Sequence, residues 1–264
     1  MSTREQHVDL RGRGLTSVPA EVWRQRPVRS LTLGRNPSLG LPGEIGDLTE
    51  LTALYLDEME LAAVPDWIGR LIELRVLDLG HNRLASLPAA VERLRALEIL
   101  YLSDNGFAEL PAQVRPLRAL TYLGATDNRI AELPAWIGEL DALIELRLYR
   151  NRLTGLPATI GALRRLRELH LRGNRIAALP DEVGDLQDLR HLELRDNALT
   201  AVPATLGRLQ RLRILDLRQN RLTTLPDALG DLAALEKLDL RWNGFVDPPP
   251  VAERLRARDC VVLL

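Results

Sequence analysis

A strict 23-residue periodicity limits how this 264-residue chain can fold more than any other feature of its sequence. Proline recurs at that spacing without a missed step, at Pro19, Pro42, Pro65, Pro88, Pro111, Pro134, Pro157, Pro180, Pro203, Pro226 and Pro249. Asparagine recurs in the same register, at Asn36, Asn82, Asn105, Asn128, Asn151, Asn174, Asn197, Asn220 and Asn243. A period of this length indicates a stack of short structural units, each contacting only its neighbours.

Each unit combines a strand signal with a turn signal. The consensus is L-x-x-L-P-x-x-I-G-x-L-x-x-L-x-x-L-x-L-x-x-N-x, and residues 130–152 follow it closely. The Leu-x-Leu pair has the alternation of a short strand with one buried face. Proline sets φ at the start of a helical turn, and the glycine that follows disfavours a long helix. We therefore predict an α/β repeat solenoid of about twelve short parallel strands, from Val8–Leu10 to Val261–Leu263, with short helical or 3₁₀ turns on the other side.

The asparagine column is predicted to lie where the chain turns after each strand. A buried amide at that place can bond free backbone groups of its own turn and of the adjacent turn. Met59 interrupts the column. Two interpretations are open: a distorted loop that helps to specify a partner, or a degenerate repeat that its neighbours tolerate.

The periodicity runs through the whole chain without a linker or a low-complexity tract. We predict one domain over residues 1–264, with a capping half-repeat at 1–18, regular repeats over 19–248 and a degenerate capping repeat at 249–264. The final apolar segment, residues 260–264, would form a strand with an unpaired edge, and such edges invite pairing with other chains. Either this edge is shielded, or the chain self-associates there, or the native protein continues.

Charge and cysteine content argue against several classes of protein. The chain has 35 basic and 36 acidic residues, and this balance argues against binding to nucleic acid or to a membrane surface. Lys237 is the only lysine, a bias typical of GC-rich bacterial genomes. A single cysteine, Cys260, excludes an intramolecular disulfide. Neither an apolar leader nor an apolar run of membrane-spanning length is present, so we expect a cytoplasmic location.

The motif L-P-x-x-I-G-x-L-x-x-L-x-x-L-x-L-x-x-N resembles the 23-residue leucine-rich repeat of intracellular scaffolds. It is similar to the repeats of the Ras-group proteins of animals and plants, of Scribble-like adaptors and of Roco proteins, and the similarity covers nearly the whole chain. The resemblance implies a right-handed horseshoe whose concave parallel sheet binds proteins. It implies no particular partner, because the consensus positions are structural and the variable positions differ between members.

The variable positions around each Leu-x-Leu are expected to face the concave side. All four tyrosines lie in these columns, with aliphatic residues beside them. Exposed tyrosines and contiguous apolar patches are typical of binding surfaces, although tyrosine also favours strands in general. The predicted apolar and aromatic contacts are Tyr55, Val76, Ile99, Tyr101, Tyr122 and Tyr149.

Arginines form a second column at one-repeat spacing, next to a column rich in acidic residues. Opposite charges in the two columns could neutralise each other. Alternatively, the guanidinium groups recognise carboxylates or phosphates of an acidic partner segment. The arginines predicted to take part in binding are Arg147, Arg172, Arg195, Arg218 and Arg241.

No catalytic residue, metal site or cofactor is predicted. His170 and His191 could be diagonal neighbours near Glu168 and Glu193, but an open surface rarely perturbs the pKa of such groups enough for catalysis. We predict a non-catalytic adaptor that binds another protein on its concave face, without nucleic acid or membrane. The alternative is the substrate-recognition array of a larger enzyme or effector, such as a ubiquitin ligase, a GTPase or a kinase.

Overall fold

A computed structural model describes residues 7–24 and 27–264 of the chain, so residues 1–6 of the predicted N-terminal cap lie outside the described part. The chain divides into two compact units, one ending at Asn128 and the other beginning at Arg129. Each unit repeats the same pattern of a three-residue strand, a turn and a short helical segment.

The first unit contains six parallel strands in chain order: β1 (His7–Asp9), β2 (Ser30–Thr32), β3 (Ala53–Tyr55), β4 (Val76–Asp78), β5 (Ile99–Tyr101) and β6 (Tyr122–Gly124). Residues 23 positions apart are direct partners, as in the pair Leu54 and Leu77. On the other side of this unit lie helix α1 (Glu21–Arg24) and 3₁₀ segments at Gly43–Asp47, Asp66–Arg70, Ala89–Arg93 and Ala112–Val114.

The second unit contains the strands β7 (Glu145–Arg147), β8 (Glu168–His170), β9 (His191–Glu193), β10 (Ile214–Asp216), β11 (Lys237–Asp239) and β12 (Val261–Leu263). These strands are also parallel and in register at 23 residues. Its 3₁₀ segments are Ala135–Glu139, Ala158–Ala162, Asp181–Asp185, Ala204–Arg208 and Asp227–Asp231, followed by helix α2 (Pro250–Arg256). The prediction of twelve short parallel strands with 3₁₀ turns is confirmed, although β1 begins one residue earlier than expected.

The leucines of the motif form the core of both units. The central residue of each strand from β2 to β11 is fully buried, and so is the apolar residue three positions after most of the repeat prolines. Glycine beside that residue allows the next turn to approach closely: a Cβ on Gly184 would lie 2.3 Å from the carbonyl oxygen of Thr205. The glycine therefore permits close stacking, in addition to limiting the length of the helix.

The asparagine side chains bond backbone groups of two successive turns, as the sequence predicts. Asn82 shows the pattern: its Nδ2 donates to the carbonyl oxygens of Leu56 (2.8 Å) and Leu79 (3.0 Å), and its Oδ1 accepts from the N–H of Leu61 (2.9 Å). Where the column is interrupted, Met59 is buried and donates its own N–H to Asn82 Oδ1 at 3.1 Å. This extra bond favours the interpretation that the neighbours tolerate the degenerate repeat.

The C-terminal strand β12 is partly covered on its outer side. Helix α2 buries Val251 and Leu255, and Arg256 Nη2 donates to the carbonyl oxygen of Val262 at 3.3 Å. The Val261 side chain remains 54% exposed. Helix α2 and the hydrogen bond from Arg256 therefore shield part of this edge. Throughout the described ranges, every helix is too short or too polar to cross a bilayer.

Candidate binding surfaces

The strand face, which is the exposed side of the sheet in each unit, presents the variable residues of the repeat. In β3, β4, β5, β7 and β9 the middle residue is buried and its two neighbours are half-exposed. This alternation follows from the period of two of a strand. The structure therefore places the predicted contact residues of β3 to β7 on the strand face.

Four of them form one cluster in the first unit, named here the aromatic patch: Val76, Ile99, Tyr101 and Tyr122. Val76 is the register partner of Ile99, and Ile99 is the partner of Tyr122, so these three residues form a continuous row across β4, β5 and β6. The rings of Tyr101 and Tyr122 have centroids 4.8 Å apart and planes inclined at 47°. Tilted ring pairs at this distance are favourable beyond the apolar area that they bury.

Gly124 makes room for this ring pair, and this role is not predicted from the sequence. It is the register partner of Tyr101, and a Cβ at Gly124 would lie 2.9 Å from Oη of Tyr122. The Tyr122 ring thus leans over the position that a side chain would occupy. The signal in the sequence is a glycine in a column whose other members, from Thr32 to Asp239, all carry polar or aromatic side chains.

Tyr55 lies apart from the aromatic patch. In register, Asp78 stands between Tyr55 and Tyr101, and burial raises the pKa of the Asp78 carboxyl in spite of a hydrogen bond from the N–H of Gly80. Tyr55 instead borders an open depression of about 560 Å³ that is also lined by Thr32 and Arg29. The structure therefore divides the predicted aromatic set of the first unit into a cluster and one separate tyrosine.

The second unit carries the arginine column, which consists of Arg172, Arg195, Arg218 and Arg241. The last two are engaged by buried acids: Arg218 Nε lies 2.9 Å from Asp216 Oδ1 and 3.3 Å from Asp239 Oδ2, and Arg241 Nη2 lies 2.7 Å from Asp239 Oδ2. Burial opposes the charge of Asp239, but the hydrogen bonds from Arg241 and the charge of Arg218 hold its pKa below the usual range. The acidic side chains therefore neutralise the arginines at this end of the column.

The other two arginines have weaker acidic contacts. Arg172 lies 3.9 Å from a carboxylate oxygen of Glu193, and its guanidinium carbon is 5.3 Å from the centre of the Tyr149 ring. Arg195 donates through Nε to the neutral amide oxygen of Gln219 at 2.8 Å. Arg147 forms an ion pair with Glu145 on its own strand. Within the arginine column, acids therefore hold Arg172 and Arg195 less closely than they hold Arg218 and Arg241.

Two histidines and two glutamates form a compact group on β8 and β9, named here the His/Glu square: Glu168, His170, His191 and Glu193. His170 Nδ1 lies 3.0 Å from Glu193 Oε2, and His170 Nε2 lies 3.1 Å from Glu168 Oε2. The two imidazole rings meet edge to face, with centroids 4.9 Å apart. Ligand atoms of Glu168, His170 and His191 all lie within 4.8 Å of one another.

Burial and charge act differently on the two histidines. Burial lowers the pKa of His170, but the hydrogen bonds to Glu193 and Glu168 outweigh it, so the pKa lies above the usual value. For His191, burial and the positive charge of His170 lower the pKa. The pKa of Glu193 is lowered because it accepts the hydrogen bond of His170. No site is predicted here from the sequence, but in the structure His170 contacts each of the other three side chains.

Several solved structures resemble this chain. One is the leucine-rich-repeat ectodomain of the plant membrane receptor kinase GASSHO1/SCHENGEN3 from Arabidopsis thaliana, in complex with CASPARIAN STRIP INTEGRITY FACTOR 2, with 32% identity, a TM-score of 0.79 and coverage of 94% of this chain and 31% of that chain. Another is the plant peptide hormone receptor RGFR1 in complex with RGF2, with 27% identity, a TM-score of 0.79 and coverage of 94% and 41%. The chain thus spans well under half the length of these two receptors.

An internalin from Listeria monocytogenes shares the fold at 20% identity, with a TM-score of 0.66 and coverage of 89% of this chain and 77% of that one. No curated protein matches the chain. The family model of the leucine-rich repeat region matches residues 66–154 and 156–255, which is well over half of the sequence. The chain therefore belongs to the leucine-rich repeat family.

Proposed function

We propose that this chain is a non-catalytic adaptor that binds a partner protein through its strand face. Domains of this family generally serve as protein-interaction modules, and the two receptors above were solved with bound ligands. The observation that carries the proposal is the aromatic patch. Its rings and aliphatic side chains form a half-exposed apolar surface, and tyrosine is enriched among the residues that dominate binding energy.

In the second unit, Tyr149, Arg172 and Arg195 are the proposed contacts for an acidic or polar segment of the partner, and Arg147 assists in orientation. Arg172 is already held over the Tyr149 ring, so its guanidinium is positioned before a partner arrives. Planar guanidinium groups bind carboxylates with two parallel hydrogen bonds. Arg218 and Arg241 are assigned a smaller part in binding, because they are committed to Asp216 and Asp239.

The experiment is a quantitative affinity purification from cells of the source organism, analysed by mass spectrometry. The test variant is Tyr101→Ala with Tyr122→Ala, and the control is Ile72→Ala, which removes a 55% exposed apolar side chain outside the strands. We expect one protein to be recovered by the wild type and the control, and to be lost with the double variant. Equal recovery by all three proteins would contradict the proposal, provided that thermal unfolding of the double variant is nearly unchanged.

The second candidate is the substrate-recognition array of a larger enzyme or effector, such as a ubiquitin ligase, a GTPase or a kinase. It is supported by the GASSHO1/SCHENGEN3 match, because that repeat region is the ectodomain of a receptor kinase. Sequencing the transcript downstream of the codon for Leu264 separates the two candidates. A catalytic domain in frame supports the larger enzyme, and a stop codon supports the adaptor.

Four finer expectations belong to the proposal. The first two are a bacterial origin and a cytoplasmic location, as in the intracellular 23-residue class. The other two are folding of residues 1–264 as one domain, with caps at 1–18 and 249–264, and self-association through the outer edge of β12. The exposed Val261 supports the last of these. Light scattering at increasing protein concentration tests it, because dimerisation through this edge would raise the molar mass and a Val261→Lys variant would remain monomeric.

A further inference from the structure

We infer that the His/Glu square is a binding site for a divalent transition-metal ion of the Zn²⁺ class, with Glu168, His170 and His191 as ligands. This site lies beyond the proposed function, and the inference does not depend on it. The repeat produces the arrangement directly. Glu-Leu-His on β8 lies in register with His-Leu-Glu on β9, so each glutamate faces a histidine across the strands.

His170 contacts a carboxylate through each of its ring nitrogens. This side chain is only 11% exposed, and each of its ring nitrogens is within 3.1 Å of a carboxylate oxygen. The protonated ring of His170 can donate to both carboxylates, but the neutral imidazole that a metal requires has one N–H and one lone pair, so it can donate to only one of them. If Nδ1 donates to Glu193, the lone pair of Nε2 is directed toward an oxygen of Glu168. A cation bound between Nε2 and Glu168 converts that repulsion into two coordinate bonds.

Two imidazole nitrogens with one carboxylate oxygen suit Zn²⁺ and related first-row ions, and a set of three protein ligands leaves a coordination position open. The three ligand atoms lie within 4.8 Å of one another, and tetrahedral bonds of about 2.0–2.1 Å need them roughly 3.4 Å apart. Glu168 is 43% exposed, so its side chain has the freedom to make most of this adjustment.

Glu193 positions the ring of His170. Its Oε2 lies 3.0 Å from the other ring nitrogen of His170, Nδ1, so by accepting the Nδ1–H it would fix the tautomer that presents Nε2 to the metal. Histidines that bind metals characteristically donate their other N–H to a carboxylate or a carbonyl. Glu193 is itself held in place from the far side by Arg172, at 3.9 Å. We therefore assign Glu193 as a positioning residue and not as a ligand.

The test is isothermal titration of Zn²⁺ into tag-free protein that has first been stripped of metal with a chelator. We expect one Zn²⁺ per chain, and a visible spectrum characteristic of a tetrahedral site when Co²⁺ replaces Zn²⁺. Both His191→Ala and Glu168→Gln should weaken binding at least tenfold. Glu193→Gln should leave the stoichiometry unchanged and weaken binding about 10- to 100-fold, as loss of such a hydrogen bond does elsewhere.

The matched control is His81→Ala. His81 lies in the turn after β4, and its Nδ1 is 2.9 Å from a carboxylate oxygen of Asp104. This variant should bind Zn²⁺ as the wild type does. The inference is overturned if the wild type takes up no stoichiometric Zn²⁺, if His191→Ala binds as tightly as the wild type, or if the control loses binding to the same degree. Circular dichroism of each variant confirms the fold, and the half-exposed positions 168 and 191 are chosen because their substitution leaves the core intact.

Discussion

The asparagine column supplies a quantitative prediction, because its members do not all have the same consequences when removed. In most turns the carbonyl oxygens bonded by one asparagine also receive a bond from a second donor. Asn105 illustrates this: its Nδ2 donates to the carbonyl oxygens of Leu79, Leu102 and Ser103. Each of these oxygens also accepts from a second donor. Asn82 donates to Leu79, Asn128 donates to Leu102, and the N–H of His81 donates to Ser103.

Replacing Asn105 with alanine therefore leaves only one backbone group without a partner, the N–H of Leu84. Replacing Asn82 with alanine leaves three. The N–H groups of Met59 and Leu61 lose their acceptor, and the carbonyl oxygen of Leu56 loses its donor, because position 59 has no asparagine to take over. The remaining two acceptors of Asn82 keep the side chain of Asn105 and the N–H of Glu58.

A buried polar group without a partner costs about 1–3 kcal/mol. The free energy of unfolding should fall by about 1–3 kcal/mol in Asn105→Ala and by roughly three times as much in Asn82→Ala. Both variants lose the same side-chain volume, so the difference between them isolates the unpaired backbone groups. Urea denaturation followed by circular dichroism measures both values. An equal loss in the two variants, or a larger loss in Asn105→Ala, would refute the reasoning about shared acceptors.

Two further predictions concern packing and charge in the second unit. Gly184→Ala should lower the free energy of unfolding by about 1–3 kcal/mol, because the new Cβ would overlap the backbone of Thr205. Gly155 has open space around it, so Gly155→Ala should change this free energy by less than about 0.5 kcal/mol. Urea denaturation compares the two variants. Asp239→Asn should lower the unfolding temperature at pH 7. The pKa of Asp239 is lowered in the folded state, so its stabilisation is present above the unfolded pKa and disappears as the pH falls through the folded value. The difference from the wild type should therefore shrink as the pH falls below the ordinary pKa of an aspartate, 3.8, and a constant difference down to about pH 2 would contradict this assignment.

Much of the fold can be predicted from the sequence, because the same 23-residue pattern of leucine, asparagine and proline recurs along the chain. The Leu-x-Leu pairs locate the strands within one residue, and the asparagine column correctly predicts an internal hydrogen-bond ladder. The consequence of Met59 is harder to foresee. Its N–H bonds the asparagine of the next repeat, and this depends on a local backbone path with positive φ at Glu58 and Glu60.

The candidate sites are predictable only in part, since a column gives register but not the direction of side chains. Period alone places Glu168 opposite His191, and His170 opposite Glu193. It does not reveal that the His170 ring turns between both carboxylates. Similarly, the sequence places acids beside the arginine column. It does not show that Arg218 contacts both Asp216 and Asp239, because these contacts depend on rotamers and burial. The separation of Tyr55 from the aromatic patch is visible in the register once Asp78 is considered.

Hydroxyl-radical footprinting of the chain, alone and with the partner recovered by affinity purification, tests the central proposal of binding through the strand face. We expect the oxidation of Tyr101 and Tyr122 to fall sharply in the complex, while that of Ile72, which lies outside the strands, stays constant. Protection of Ile72 with undiminished oxidation of both tyrosines would contradict the account.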